Sequence, residues 1–117
     1  MGTFYVDAQI SNVSRHKGVR IRQLPVDTGS EFTWAPGEAL AKAHIAVTKK
    51  DQTFVMANGQ HITRSVGYAI ISVGEFETVD EVVFGQAGDL ALLGSRTLEG
   101  FGAHVDARQK RLVAAGP

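Results

Sequence analysis

Hydrophobic and polar positions alternate with a period of two along much of this chain. Phe4, Val6, Ala8 and Ile10 fall on one side of an extended segment and Thr3, Tyr5, Asp7 and Gln9 on the other, the pattern of a strand with one buried face. The polar run Asn12 to Gly18 predicts a turn, after which Val19-Arg20-Ile21-Arg22 resumes the alternation. The phase breaks at Gln23-Leu24, and Pro25 has no N–H to give to a ladder. This second strand is therefore expected to carry an irregularity, or to lie at an edge, just ahead of Asp27. Tyr68 to Val73 (YAIISV) is apolar on both faces, as a central strand requires, and Val79 to Phe84 supplies its neighbour across a turn at Gly74-Glu75.

Helical patterning is confined to two short stretches. Pro36 suits the first turn of a helix, and Glu38 to His44 (EALAKAH) consists mainly of helix formers. Near the C-terminus Ser95 is placed to cap a two-turn helix with Leu98 and Phe101 on one face and Gly102 at its end. Between these helices, Asn58-Gly59 flanked by Phe54-Met56 and Ile62 predicts a hairpin, because both turn residues tolerate positive φ. Gln86 to Asp89 reads as a loop, Ala91-Leu92-Leu93-Gly94 as a short apolar strand ending at a glycine, and HVDARQKRLV as a last hairpin. The total is about seven or eight short strands with one or two helices, a mostly-β barrel or folded sheet.

Composition narrows the function more by exclusion than by indication. The 117 residues make one domain, residues 1–117, in which roughly two-thirds of the unfolded surface becomes buried. Twelve Lys plus Arg balance twelve Asp plus Glu, and both signs are scattered, so no long-range field draws in nucleic acid or anionic lipid. The absence of Cys removes disulfides, thiolate nucleophiles and Cys-based zinc sites, and fits a reducing, cytoplasmic setting. MGTFYVDAQI lacks the continuous apolar core of a signal peptide, and Val6 stands where a myristoylation signal has Ser or Thr. No run approaches the roughly 18 apolar residues of a membrane span. His16, His44, His61 and His104 are far apart without metal-ligand spacing, so neither a metal nor another cofactor is expected.

One segment carries chemistry. In LPVDTGSEFTW, residues 24–34, an apolar run ends on Asp27 and is followed by a hydroxyl, a glycine and a second hydroxyl. On residue chemistry alone two readings stand, a strand running into an ordinary turn and a carboxylate held at the mouth of a cleft. Three features in order tip the balance: Val26 to Ser30, the glycine-bearing hairpin at Met56-Ala57-Asn58-Gly59, and Ala91-Leu92-Leu93-Gly94 followed by the helix from Ser95 to Phe101. In this order and spacing the chain resembles a retropepsin-like aspartic protease, from about Phe4 to Val113.

The resemblance implies a half-barrel with a flap hairpin and one short C-terminal helix, in which the apolar-apolar-Gly segment crosses behind the catalytic loop. Aspartic proteolysis needs two carboxylates and the chain has one Asp-Thr-Gly, so the resemblance implies a homodimer with Asp27 facing Asp27 across the two-fold axis. Two carboxylates so close share one proton. The ionised one draws a proton from a water that attacks the peptide carbonyl, the protonated one bonds the carbonyl oxygen, and activity is expected to peak on the acid side of neutrality. By the same resemblance Thr28 bonds the partner loop, Gly29 points its N–H at the carboxylate, and the Ser30 hydroxyl donates to Asp27. Met56, Ala57, Asn58 and Gly59 close over an extended peptide or protein substrate, with Val26, Ile62, Val82 and Phe84 as candidate walls, each read at least as well as a core residue. Viral members pair an acidic residue after the catalytic loop with an Arg directly after the later glycine. Here Glu31 holds the first place, Ser95 the second and Arg96 the next, so the corresponding expectation is a Glu31–Arg96 contact shifted by one residue. The rival of another class is a non-catalytic dimerisation or peptide-binding module of the same fold.

Overall fold

The computed structural model describes residues 4–116. Thr3, expected on the outward face of the first strand, lies outside them, as do Met1 and Gly2 of the lipidation and signal-peptide readings. The N-terminal alternation becomes β1 (Tyr5–Ser11), where Ala8 and Ile10 are fully buried while Tyr5, Asp7 and Gln9 face solvent. A tight turn, in which the Asn12 side chain accepts the Ser14 hydroxyl and the His16 N–H, leads into β2 (Gly18–Pro25), antiparallel to β1. The register slips between Val6 and Ala8, Gln23 takes φ +54°, and the Asp7 carboxylate accepts the Gln23 N–H at 3.1 Å. This bulge is the phase break visible at Gln23-Leu24, and it returns Leu24 to the buried side just before the chain enters the Asp27 loop.

The main sheet runs β2-β1-β5 (His61–Val73)-β6 (Phe76–Gly85)-β3 (Thr33–Pro36), with β4 (Lys49–Val55) pairing β5 outside this path; it ends on β2 and β3 and does not close into a barrel. β5 (His61–Val73) is one 13-residue strand, although the sequence suggested a hairpin strand near Ile62 and a separate central strand at Tyr68 to Val73. Its first half pairs with β4 (Lys49–Val55) and its second with β6 (Phe76–Gly85), which starts three residues earlier than Val79. The change of partner falls around Gly67, where a β-carbon would collide with the Ala46 carbonyl oxygen. Glycine lets the long strand continue under the chain that enters β4.

β3 (Thr33–Pro36) lies parallel to β6, with Trp34 opposite Val83. It leads directly into α1 (Gly37–Lys42), so Pro36 stands just ahead of the helix rather than inside its first turn. The helix stops short of His44, which has φ +57° and ends the turn by donating its N–H to the Ala41 carbonyl. α2 (Ser95–Phe101) has Gly94 at its cap position with no side-chain cap, so Ser95 is its first residue and not its cap. Gly102, with φ +66°, closes it as expected. The last hairpin, β7 (Ala103–Asp106) with β8 (Arg111–Ala114), forms a separate two-stranded sheet.

Two apolar clusters result. The larger joins Ala8 and Ile10 of β1, Ala69 and Ile71 of β5, Val82 of β6, Leu40 of α1 and Leu98 of α2 around Leu24 and Leu93. Each fully buried Leu, Ile or Val contributes about 1.5–3 kcal/mol relative to exposure. The smaller has Trp34, Val66 and Val83 at its centre, with Phe32 and Leu92 from one side and Phe54 and Ile62 of the β4–β5 hairpin from the other. Among the described residues no helix is long and apolar enough to cross a membrane.

Candidate functional site

The Asp27 loop is built by threading one segment between its two arms. Leu93 bridges Val26 in parallel on one side, and Leu92 bridges Trp34 antiparallel on the other. Leu93 donates its N–H to the Pro25 carbonyl at 2.8 Å and accepts the Asp27 N–H at 2.9 Å. Leu92 and Trp34 exchange a pair of bonds, both 2.9 Å. Further on, the Ser95 and Arg96 N–H groups donate to the Ser30 and Glu31 carbonyls at 2.7 and 3.1 Å. The first turn of α2 thus spends two of its free donors on the loop, which explains why no side-chain cap is needed. The expected strand at Ala91 to Gly94 exists only as these two isolated bridges.

Gly94 makes the threading possible. A β-carbon there would overlap the Phe32 carbonyl group and stand 2.7 Å from the Glu31 carbonyl oxygen, so any side chain would force the two segments apart. Its N–H donates to the Thr33 hydroxyl at 3.0 Å. Thr33 and Thr97, both fully buried, have hydroxyl oxygens 2.6 Å apart, and Thr97 donates onward to Asp80 Oδ2 at 2.8 Å. Since the Thr97 proton is committed to Asp80, the Thr33 proton must point to Thr97. The chain therefore has a single direction, Gly94 to Thr33 to Thr97 to Asp80, with every buried donor satisfied.

Within the loop, Asp27 is exposed, and its Oδ1 accepts the Gly29 N–H at 2.9 Å. Thr28 and Gly29 are exposed beside it. Ser30 departs from expectation: its hydroxyl donates to the Phe32 carbonyl at 3.3 Å, not to Asp27. The half-buried Ser30 side chain turns back along its own segment, bracing the loop's descending arm. Asp27, Gly29 and Ser30 lie along a cleft of about 750 Å³ whose opposite side is the hairpin, including Met56 and Ala57.

The hairpin differs in detail from its sequence signature. Its loop spans Met56 to Gln60, with the Gly59 N–H on the Met56 carbonyl, the Met56 N–H on the Gln60 carbonyl and the Gln60 N–H on Asn58 Oδ1. Only Gly59 of the two turn residues has positive φ, +85°, so this is a longer turn in which Asn58 acts through its side chain. Asn58 and Gly59 sit at the exposed tip and do not line the cleft. Asp51, at φ +55°, marks a bulge between Lys49 and Gln52 that adds twist to the hairpin's base.

The four candidate wall residues take the core alternative. Val82 is fully buried, Val26 and Phe84 pack against the larger cluster and Ile62 against the smaller, and none of the four lines the cleft. The apolar wall comes instead from Phe32, Trp34, Phe54 and Leu92. Trp34 belongs to both wall and core: it is 7% exposed, and its ring lies 5.2 Å from Phe54. Phe32 meets Phe54 edge-on at 5.4 Å. The available signal was the period of two, which puts Phe32 and Trp34 on one side of their segment and Gln52 and Phe54 on one side of theirs.

Arg96 has other partners than Glu31. Its guanidinium stacks on the Phe32 ring at 4.9 Å, Nη1 reaches Glu81 Oε1 at 3.3 Å, and Nη2 lies 3.9 Å from Asp80. Glu81 also accepts a 2.9 Å bond from Lys49, and this contact raises the Lys49 ammonium above its ordinary value. The relation between Arg96 and Glu31 is a backbone one. Among the described residues no group of three His, Asp or Glu side chains is placed to hold a metal ion. No family model matches the chain, and no curated protein matches it.

Proposed function

We propose that this chain is a retropepsin-like aspartic endopeptidase that acts as a homodimer. The observation that carries the reading is an exposed carboxylate, Asp27, at a cleft of about 750 Å³, on a loop pinned by backbone bonds to a threaded Leu92–Gly94 segment and faced by a hairpin. The crossing behind the loop is the feature that the resemblance to the retropepsin-like fold most specifically requires. An ordinary turn aspartate needs neither the crossing nor the cleft.

Asp27, Thr28 and Gly29 stand exposed on the single chain, as the dimer reading requires of residues that a second copy covers. With two Asp27 carboxylates sharing one proton, the ionised one takes a proton from the bound water as its oxygen attacks the peptide carbonyl carbon. The other donates its proton to the carbonyl oxygen. Collapse of the resulting tetrahedral intermediate expels the amine, which receives a proton from the dyad. The Gly29 N–H holds one Asp27 oxygen in place and leaves the other free for this exchange. An extended peptide lies between loop and hairpin, with side chains against Phe32, Phe54 and Leu92.

The test is incubation of the purified chain with a peptide library at mildly acidic pH, with and without a pepstatin-type inhibitor, beside Asp27→Asn. Inhibitor-blocked cleavage that disappears in the variant is the expected result, and sedimentation of the same sample should report a dimer. Peptide binding without cleavage would replace the enzyme by a binding module of the same fold. Ser30→Ala should leave the alkaline limb of the pH-rate profile unmoved, because its hydroxyl is engaged by Phe32.

A further inference from the structure

The hairpin that covers the cleft is tied to the body by different means along its length. The β5–β6 ladder ends at the Val66–Val83 pair. Beyond it, toward the hairpin tip, β5 continues without β6 as a partner, and β6 gives way after Gly85 to the loop 86–90. Across that gap Arg64 of β5 grips Asp89 of the loop with two bonds, Nε to Oδ2 at 2.7 Å and Nη2 to Oδ1 at 2.9 Å. The side chains are 15% and 16% exposed, whereas the Arg15–Glu77 pair is 62% and 46% exposed. Both ends are positioned from behind. Arg64 Nη1 also donates to the Thr63 carbonyl at 2.7 Å, and Asp89 Oδ2 accepts the Gln86 N–H at 2.8 Å.

The pair stands where the two lips of the cleft meet. Asp89 and the 79%-exposed Leu90 line the cleft from the loop, and Gln52, opposite Arg64 in the β4–β5 ladder, lines it from the hairpin. Two-pronged Arg–carboxylate pairs fix orientation as well as distance, and shielding from water strengthens them. We propose that the Arg64–Asp89 pair fastens the hairpin to the loop 86–90 and thereby sets the width of the cleft that receives the peptide. Arg64 and Asp89 are positioning residues in this account. Only the consequence for peptide cleavage rests on the protease reading; the fastening does not.

The chain has no cysteine, so the fastening can be read directly with spin labels at Val55→Cys and Leu90→Cys, both exposed positions on opposite lips, in protein diluted with unlabelled copies. The parent pair should give one narrow distance distribution. Asp89→Asn and Arg64→Gln should broaden it and lengthen its mean, and Arg64→Lys, which keeps the charge without the two-pronged grip, should fall between. Unchanged distributions in folded Asp89→Asn and Arg64→Gln would overturn the proposal. If either fails to fold by circular dichroism, Arg64→Lys decides: a distribution matching the parent overturns the proposal, and a broadened one supports it. In the unlabelled protein, peptide cleavage by Asp89→Asn should show KM raised roughly fivefold, the upper range for a single ion pair. Its kcat should stay within about twofold of the parent. A fall in kcat with KM unmoved would overturn the cleft-setting role. If the parent chain cleaves no peptide, the protease reading fails and the label distances still decide the fastening.

Discussion

The Asp27 loop and the β4–β5 hairpin face each other across one cleft, yet they are held in opposite ways. The loop is over-determined: six backbone hydrogen bonds join its two arms to Leu92, Leu93, Ser95 and Arg96, and a one-directional chain of buried hydroxyls anchors Gly94. The hairpin is held by its own ladder, by Phe54 and Ile62 on the smaller cluster, and by the Arg64–Asp89 pair. A group that must meet a reacting atom within a fraction of an ångström needs the first kind of support. Under the proposed protease reading, a cover that must admit and release a peptide needs the second.

Three perturbations break or sharpen this contrast. The largest effect is expected from Gly94→Ala, which drives a methyl group into the Phe32 carbonyl and should destabilise the fold by roughly 3 kcal/mol or more in urea unfolding. A cost below 1 kcal/mol, by an order-of-magnitude reading, would mean that the crossing yields easily and the loop is not rigid. Next is Thr97→Val, which leaves the Thr33 proton and an Asp80 oxygen without partners, for about 2 kcal/mol. Thr97→Ser keeps both bonds and should cost less than about 1 kcal/mol. If Thr97→Val is as stable as the parent, the hydroxyl chain does not support the loop.

The smallest effect is a pH dependence on the hairpin side. The Arg64 guanidinium, aided by the Gln86 N–H, holds the Asp89 carboxyl below its ordinary value of 3.8. A depressed folded-state value means that its contribution is present in full above the unfolded value and is lost as pH falls through the lower folded one. The difference in melting midpoint between the parent and Asp89→Asn should therefore stay flat from neutrality down to about pH 5, then shrink below about pH 4. A difference that stays constant on passing below about pH 4 would mean that the charge of the pair does not help to hold the hairpin.

Much of the scaffold was legible because the signals are local. The bulge at Gln23 appeared as a broken alternation, the end of α2 as Gly102, and the hairpin as Asn58-Gly59. Where local reading failed, a distant partner had intervened. Ser95 lost its capping role because Gly94 and the Ser30 carbonyl took over the helix entrance, and Ser30 turned from Asp27 to Phe32. Arg96 found Glu81 and Asp80 on β6 instead of the nearby Glu31 side chain. The two stretches of β5 fused because Gly67 can pass under the Ala46 carbonyl, which no pattern in the strand itself announces.

By itself, the amino-acid order determined which segments extend, where they turn and which single carboxylate sits among turn-forming, small residues, because dihedral preferences and the period of two act over a few residues. Tertiary structure decided that Leu92 to Gly94 passes between the arms of that loop, that Phe32, Trp34 and Phe54 wall the cleft, and that Arg64 reaches Asp89. These depend on which distant groups share space once the core has formed. A carbonyl, a ring or a carboxylate is specified as a partner only by the packing that delivers it.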